Sequence, residues 1–265
     1  MDLKETPEIS FHEPDRHPWE IARVKVVQSL IKHSLSGFNL NSKVTIIDIG
    51  CGDAFLLYKI SQNYIDPFPL GVDNALTKRQ IEILKSRYPL PSLSFYNTIE
   101  ELTQTTIIQS DIVLLLDVLE HIEEDSSFLQ KLANQPWITE KTIILITVPA
   151  FQMLFSNHDS FLGHCRRYSN TSLKNTITAN GFTIEKIGYF FSSLLFVRIL
   201  LKCIEIVLPY NFNNQKGAGA WKGSKLISRI IVLFLWLDFL IINSLRKIGI
   251  KVPGLSNYAI CRKSV

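Results

Sequence analysis

The stretch Val44-Thr45-Ile46-Ile47-Asp48-Ile49-Gly50-Cys51-Gly52 decides the fold. Val44, Ile46, Ile47 and Ile49 leave no polar side for water, so the run reads as a strand covered on both faces, as in the parallel sheet of an α/β domain. Gly50 and Gly52 then let the backbone turn tightly and approach a ligand with no Cβ in the way. Ala54 to Ile60 reads as the opening of a helix whose first N–H groups face the crevice above the strand. A second apolar run, Phe68-Pro69-Leu70-Gly71-Val72, closes at Asp73. That carboxylate lies about 20 residues beyond Gly52, the offset at which an acid meets ribose hydroxyls in such folds. The four elements together point to a nucleotide-cofactor site.

Two cofactor classes share this geometry. A nicotinamide site needs a third glycine for close packing of helix on strand, and Phe55 stands there instead. Asp48, two residues before the first glycine, would repel a pyrophosphate but suits an amino-acid ammonium. S-adenosylmethionine carries an ammonium and a sulfonium and no phosphate. The chain therefore resembles the class I S-adenosylmethionine-dependent methyltransferases, with Asp48-Ile49-Gly50-Cys51-Gly52 as their first motif and Asp73 as their ribose-binding acid. The segment Asp111-Ile112-Val113-Leu114-Leu115-Leu116-Asp117-Val118-Leu119-Glu120-His121-Ile122 resembles that family's fourth strand and its Asp-Val-Leu-Glu-His-Ile signature. The resemblance implies cofactor contacts from Asp48, Gly50, Gly52, Asp73 and Asn74, from Asn97 beside adenine, and from Asp117 beside the methionine part. The plainer readings are a helix N-cap for Asp117 and a cap of Ile99-Glu100-Glu101 for Asn97.

Alternation of strand and helix supports a doubly wound, mostly parallel, seven-stranded Rossmann-like sheet. Strands are expected at 44–49, 68–72, 93–96, 112–116, 142–148, 182–188 and 256–261, and helices at about 18–33, 54–63, 77–87, 125–133 and 170–180. Ile21, Val24, Val27, Leu30 and Ile31 give the first helix one packing face, and Asn180-Gly181 closes the helix before the sixth strand. The methyltransferase domain would comprise 1–188 plus 253–265, with 189–252 inserted between the last two strands as an apolar, basic helical hairpin. Four cysteines without Cys-x-x-Cys spacing, and a charged Met1-Asp2-Leu3-Lys4-Glu5 start, suit a reducing cytosolic setting.

The insertion is the second informative feature. Phe190 to Leu208 is apolar apart from Arg198, Lys202 and Glu205, which share one narrow stripe of a helix. Leu226 to Leu245 is apolar apart from Arg229 and Asp238 among the charges. Each is long enough to cross a bilayer, which takes about 20 residues. A mid-span Asp costs about 2.5 to 3.5 kcal/mol, however, so a hairpin lying in the interface or closing over a lipid-like substrate fits better. Of 28 basic and 24 acidic residues, ten basic and two acidic fall between Lys186 and Lys251, so the rest of the chain is acid-rich. The basic excess would meet anionic head groups at the inner face of the cell membrane. The alternative is a protein interface, such as a homodimer, or packing against the sheet. Nucleic acid is disfavoured, because these basic residues accompany lipid-like helices and not a polar groove with interleaved aromatics.

After the fifth strand comes Ser156-Asn157-His158-Asp159-Ser160-Phe161-Leu162-Gly163-His164-Cys165-Arg166-Arg167-Tyr168, at the carboxyl end of the sheet where open α/β sheets bind ligands. It resembles the corresponding segment of a bacterial methyltransferase subfamily found with cell-envelope polysaccharide genes, as does His17-Pro18-Trp19-Glu20-Ile21-Ala22-Arg23. Arg166 and Arg167 are expected to hold an anionic acceptor and Tyr168 and Trp19 to line its pocket. His121, His158 and His164 are the candidate bases, with Asp159 orienting one of them. The plainer reading makes Asp159 and one arginine a structural ion pair. No metal is expected, since His158, Asp159 and His164 lack a further ligand of known spacing. The expected function is methyl transfer to an acceptor of unknown identity, a lipid-linked or cell-envelope saccharide being the guess. A nicotinamide-dependent oxidoreductase or a non-catalytic membrane adaptor are the rivals.

Overall fold

The computed structural model describes residues 9–12, 15–34, 43–105, 109–207, 221 and 223–264. Strand β1 (Lys43–Ile49) is buried at every position after its first, as its unbroken β-branched run requires. Around it lie β2 (Asp66–Val72), β3 (Ser94–Tyr96), β4 (Ile112–Leu116), β5 (Ile143–Pro149), β6 (Phe182–Phe190) and β7 (Ser256–Lys263). The order across the sheet is β3-β2-β1-β4-β5-β7-β6. The first five strands pair in parallel, and β7 runs antiparallel to both β5 and β6. Strand order reverses between β1 and β4, which opens a crevice at their carboxyl ends.

Helices cover both faces. One core packs α1 (Pro18–Ser34), α2 (Phe55–Ser61) and α3 (Lys78–Arg87) through Val27, Leu57 and Leu84 against Ile46 and Leu114 of the sheet. The other packs α4 (Ile99–Thr103), α5 (Asp125–Ala133) and α7 (Asn170–Thr178) through Leu102, Leu129 and Leu173 against Ile47, Val113 and Ile146. The expected strands and long helices are all present. Helices α4 and α6 (Asn157–Leu162), of five and six residues, escape periodic reading because neither completes two turns. Gly181 follows α7 with a φ of 88°, the left-handed close that Asn-Gly suggested. Helix α1 buries more than the single face expected, because α9 (Lys225–Lys247) lies along it.

Helices α8 (Ser192–Val207) and α9 stand between β6 and β7, as the hairpin reading required. The connection 208–220, with Lys216, and Lys222 lie outside the described residues. Helix α9 sends Val232, Leu235, Phe239 and Ile242 inward, so part of it does pack on the body. Its Asp238 accepts a bond from the Ser193 backbone N–H at 3.3 Å and so sits at the N-terminus of α8. That placement gives the mid-helix acid a partner inside the protein. Arg198 donates to the Leu154 carbonyl at 3.3 Å and Lys202 to the Phe155 carbonyl at 2.8 Å. Arg198 and Lys202 therefore face the protein and Leu195 is buried, while other apolar side chains of α8 face out. Phe196 is 71% exposed and Leu226 67%, with Leu200, Ile230, Phe234 and Ile241 also exposed.

Candidate active site

A cleft of about 1050 Å³ runs across the carboxyl ends of β1, β2, β4 and β5. Gly50, Gly52, Asp73 and Asn97 wall one end; Glu120, His121, His158 and His164 wall the other, which continues to Leu194 and Arg198 on α8.

The first end is made by backbone. Gly50 has a φ of 77°, its N–H donates to the Val72 carbonyl at 2.7 Å, and a Cβ there would sit 2.6 Å from Val118 Cγ2. Only glycine meets both demands. The Gly52 N–H donates to Asp73 Oδ2 at 2.9 Å and the Ala75 N–H to Oδ1 at 3.0 Å. These bonds fix the carboxylate at the tip of β2 while each oxygen keeps a lone pair for a diol. Asn74 is exposed on the same wall. Asn97 lies there too, its amide donating to the Leu76 carbonyl at 2.7 Å. It is not the cap of α4, a role taken by Thr98, whose hydroxyl accepts from the Glu101 N–H.

Asp48 lies beneath this floor, not on the cleft wall: it is 2% exposed, with no partner for Oδ1. Burial pushes its carboxyl up to about 7; Arg23 opposes the shift and Asp73 adds to it. A cation above Gly50 would offset that burial, and the donor set of Asp48, the two glycines and Asp73 suits a cationic nucleoside. Phe55, the position of a dinucleotide site's third glycine, is buried with the Arg16 guanidinium 4.1 Å above its ring. Side chains fill the space that close helix–strand packing would need.

Asp117 lines the cleft, and the structure overturns its plainer reading as a helix cap. It caps no helix, because the N-cap of the following 3₁₀ turn is Val118 and no side chain caps it. It adopts a φ of 59°, costly for a non-glycine residue, and is held by Arg23 at 2.7 Å and by the Thr147 hydroxyl at 3.1 Å. Arg23, buried on α1, also donates to that hydroxyl at 2.8 Å. Its signal was a cation set among apolar positions of α1, and it was not singled out as a site residue.

At the other end, the turn after β4 and the loop after β5 are cross-linked by side chains. Asp159 is fully buried and accepts from Arg167 Nε at 2.7 Å, Arg167 Nη2 at 3.0 Å and the Ser156 N–H and hydroxyl at 2.9 Å each; His164 Nδ1 lies 2.9 Å away. Despite burial, which raises it, these bonds to His164 and Arg167 hold its carboxyl well below the usual range. Asp159 thus positions His164 and has no surface for an acceptor. Arg167 lies on the wall but is spent on Asp159 and the Ala150 carbonyl, the structural pair that was the plainer reading. Arg166 turns to Asp125 at 3.1 Å and the Glu123 carbonyl at 2.6 Å, away from the cleft. Tyr168 is buried, donating to Asp125 at 2.6 Å, so neither it nor Arg166 is placed to bind an acceptor. Trp19 does line the cleft, and so does His158, on α6.

The stitching sets His164 against the turn. The Cys165 N–H donates to the Glu120 carbonyl at 2.6 Å, and the rings of His121 and His164 meet edge to face at 4.6 Å between centroids. Glu120, read from sequence only as part of a signature, is fully buried with neither carboxylate oxygen hydrogen-bonded. Burial pushes its carboxyl well above the usual range, and Asp117 adds to the shift.

No family model matches the chain. A curated relative, N-methyltransferase 4 of Papaver somniferum, is 28% identical over 120 residues, 43% of this chain. The chain spans 32% of that relative's length. Among solved structures, the plantazolicin methyltransferase BpumL in complex with S-adenosylhomocysteine aligns with a TM-score of 0.52 at 15% identity, over 94% of this chain and 85% of its own. The Haemonchus contortus phosphoethanolamine N-methyltransferase 2 in complex with S-adenosyl-L-methionine aligns at 0.51 and 11% identity, over 91% of this chain and 53% of its own. The [4+2]-cyclase SpnF aligns at 0.53 and 13% identity, over 96% and 85%. A cyclase in this company illustrates that one fold hosts different chemistry. Sheet order, the glycine turn and these likenesses establish that the chain has the class I methyltransferase fold.

Proposed function

We propose that this chain is an S-adenosylmethionine-dependent methyltransferase that works on a lipid-linked acceptor, such as a cell-envelope saccharide, at the cytosolic face of a bacterial membrane. The observation that carries the cofactor assignment is the Gly52 N–H bond to Asp73 Oδ2 at 2.9 Å beside the glycine turn. When bound, the cofactor supplies an electrophilic methyl group on a sulfonium. Asp73 would hold the ribose diol, the backbone of Gly50 and Gly52 would admit the nucleoside closely, and buried Asp48 would favour the positive charge above it.

The histidine cluster faces the same cleft. Ionised Asp159 accepts a hydrogen bond from Nδ1–H of His164, which leaves Nε2 as the ring's acceptor for a proton from a hydroxyl. The acceptor and methyl donor enter one cleft from opposite ends, and alignment for in-line displacement supplies much of the rate.

The exposed faces of α8 and α9 support the membrane reading. Apolar side chains as exposed as Phe196 and Leu226 each gain about 1.5 to 3 kcal/mol on leaving water. Lys225, Arg229, Arg246, Lys247 and Lys251 lie on or beside α9, where anionic head groups would meet them. The cleft reaches α8 at Leu194 and Arg198, so an acceptor head group can enter while its chain stays in lipid.

The test is transfer of labelled methyl from S-adenosylmethionine into bacterial lipid extract and into the aqueous metabolite pool. Label in the organic phase that is lost in Asp73→Ala is expected; label only in the aqueous pool would refute the lipid acceptor. Flotation with anionic vesicles should carry the protein upward and weaken with salt. Flotation unchanged in the double variant F196E/L200E would refute docking through α8.

A further inference from the structure

We propose that Glu120, His121 and His164 form a binding site for one divalent transition-metal ion at the acceptor end of the cleft. One ligand atom from each lies within 4.8 Å of the other two. Donors on a single tetrahedral zinc stand about 3.4 Å apart, from metal–ligand lengths of about 2.1 Å, so an ion would draw the three together by about an ångström.

Three independent features converge. Glu120 is fully buried, and neither oxygen has a hydrogen-bond partner. A carboxylate in that state is costly unless it is protonated or faces a cation. Second, His164 is set up as a metal ligand normally is: Nδ1 rests on a buried carboxylate, Asp159, itself clamped by Arg167, so that Nε2 is the ligating atom. Third, the donors come from two segments tied together by the Cys165 N–H bond to the Glu120 carbonyl, which fixes their separation. The His164 and His121 rings line the cleft, leaving an approach for a substrate oxygen.

Two imidazoles and one carboxylate suit Zn²⁺ or Mn²⁺ better than Mg²⁺, which prefers all-oxygen surroundings. The role of the ion rests on the methyl-transfer reading; its binding does not. With the ion bound, His164 Nε2 is committed to it and gives up the proton-accepting role it has in the metal-free site, and a hydroxyl on the ion would lose its proton to solvent at a lower pH. The oxygen's lone pair would then form the O–CH₃ bond as the C–S bond breaks, and S-adenosylhomocysteine would leave.

The experiment uses untagged full-length protein stripped with chelator, titrated calorimetrically with ZnCl₂, MnCl₂ and MgCl₂, and separately with S-adenosylhomocysteine. We expect one Zn²⁺ or Mn²⁺ per chain at micromolar affinity or tighter, weakened about 100-fold or more in Glu120→Gln and in His164→Asn. Circular dichroism should show both variants folded, and their S-adenosylhomocysteine affinity should stay within about threefold. Added metal should raise the melting temperature of the wild type and leave that of Glu120→Gln unmoved. Less than stoichiometric uptake by the wild type, or equal uptake by folded Glu120→Gln, would overturn the site. Metal uptake without S-adenosylhomocysteine binding would leave the site standing and refute methyl transfer.

Discussion

The two ends of the cleft are built by opposite means. At the cofactor end, Gly50 and Gly52 shape the floor through backbone conformation, and Asp73 is fixed by bonds from two nearby N–H groups. At the acceptor end, Asp159, His164 and Arg167 are fixed by one another, and the loop after β5 is tied to the turn after β4 through Glu120, Glu123 and Asp125. A site made of backbone conformation announces itself in local sequence. A site made of cross-links between segments some forty residues apart shows its residue types but not their roles.

The largest effect should come from breaking a cross-link. Asp159→Ala leaves Arg167 buried without its counter-charge and removes the bond that orients His164. A loss of about 3 to 5 kcal/mol is expected, read as a lower urea midpoint. A loss under 1 kcal/mol would mean that the loop does not depend on this carboxylate.

Asp48 sharpens the comparison through pH. Its carboxyl, raised from 3.8 to about 7, binds a proton more tightly in the folded state than in the unfolded chain. Its contribution to stability is therefore fully present below pH about 4 and is lost as pH rises through about 7. Urea midpoints measured from pH 4.5 to 8 should fall for the wild type relative to Asp48→Asn. Parallel curves would show that Asp48 is not buried as described.

Gly50→Ala tests the backbone end. A methyl group 2.6 Å from Val118 Cγ2 at positive φ should cost about 1 to 3 kcal/mol, with a weaker grip on S-adenosylhomocysteine. Unchanged stability and affinity would break the claim that conformation makes this end. The smallest effect belongs to the α8 surface: F196E/L200E, at two exposed positions, should stay within about 0.5 kcal/mol of wild type. A larger loss would mean that these residues pack on something in the folded protein.

Much of the fold was readable because β1, β4 and β5 are continuous apolar runs and the long helices keep their period. The hairpin's place between β6 and β7 was readable too, but not its facing. Arg198, Lys202 and Asp238 looked like charges that a membrane would have to accommodate, yet they bond Leu154, Phe155 and Ser193 of the protein itself. Nothing local encodes those contacts, which span about 45 residues. Arg166 and Tyr168 misled for the same reason. An Arg-Arg-Tyr run after a buried strand suggests anion binding, whereas Asp125, on another helix, claims both flanking residues. Glu120 was hidden inside a familiar motif, and only its unpartnered burial beside His121 and His164 separates it from its neighbours.

The most direct measurement is calorimetric titration of detergent-purified protein with S-adenosylmethionine and S-adenosylhomocysteine, with NAD as control and Asp73→Ala alongside. Micromolar binding of both sulfur ligands, weakened about 100-fold in the variant as the loss of a charge-assisted pair would give, is the predicted result. No heat from protein shown to be folded, or binding of NAD in their place, would contradict the account.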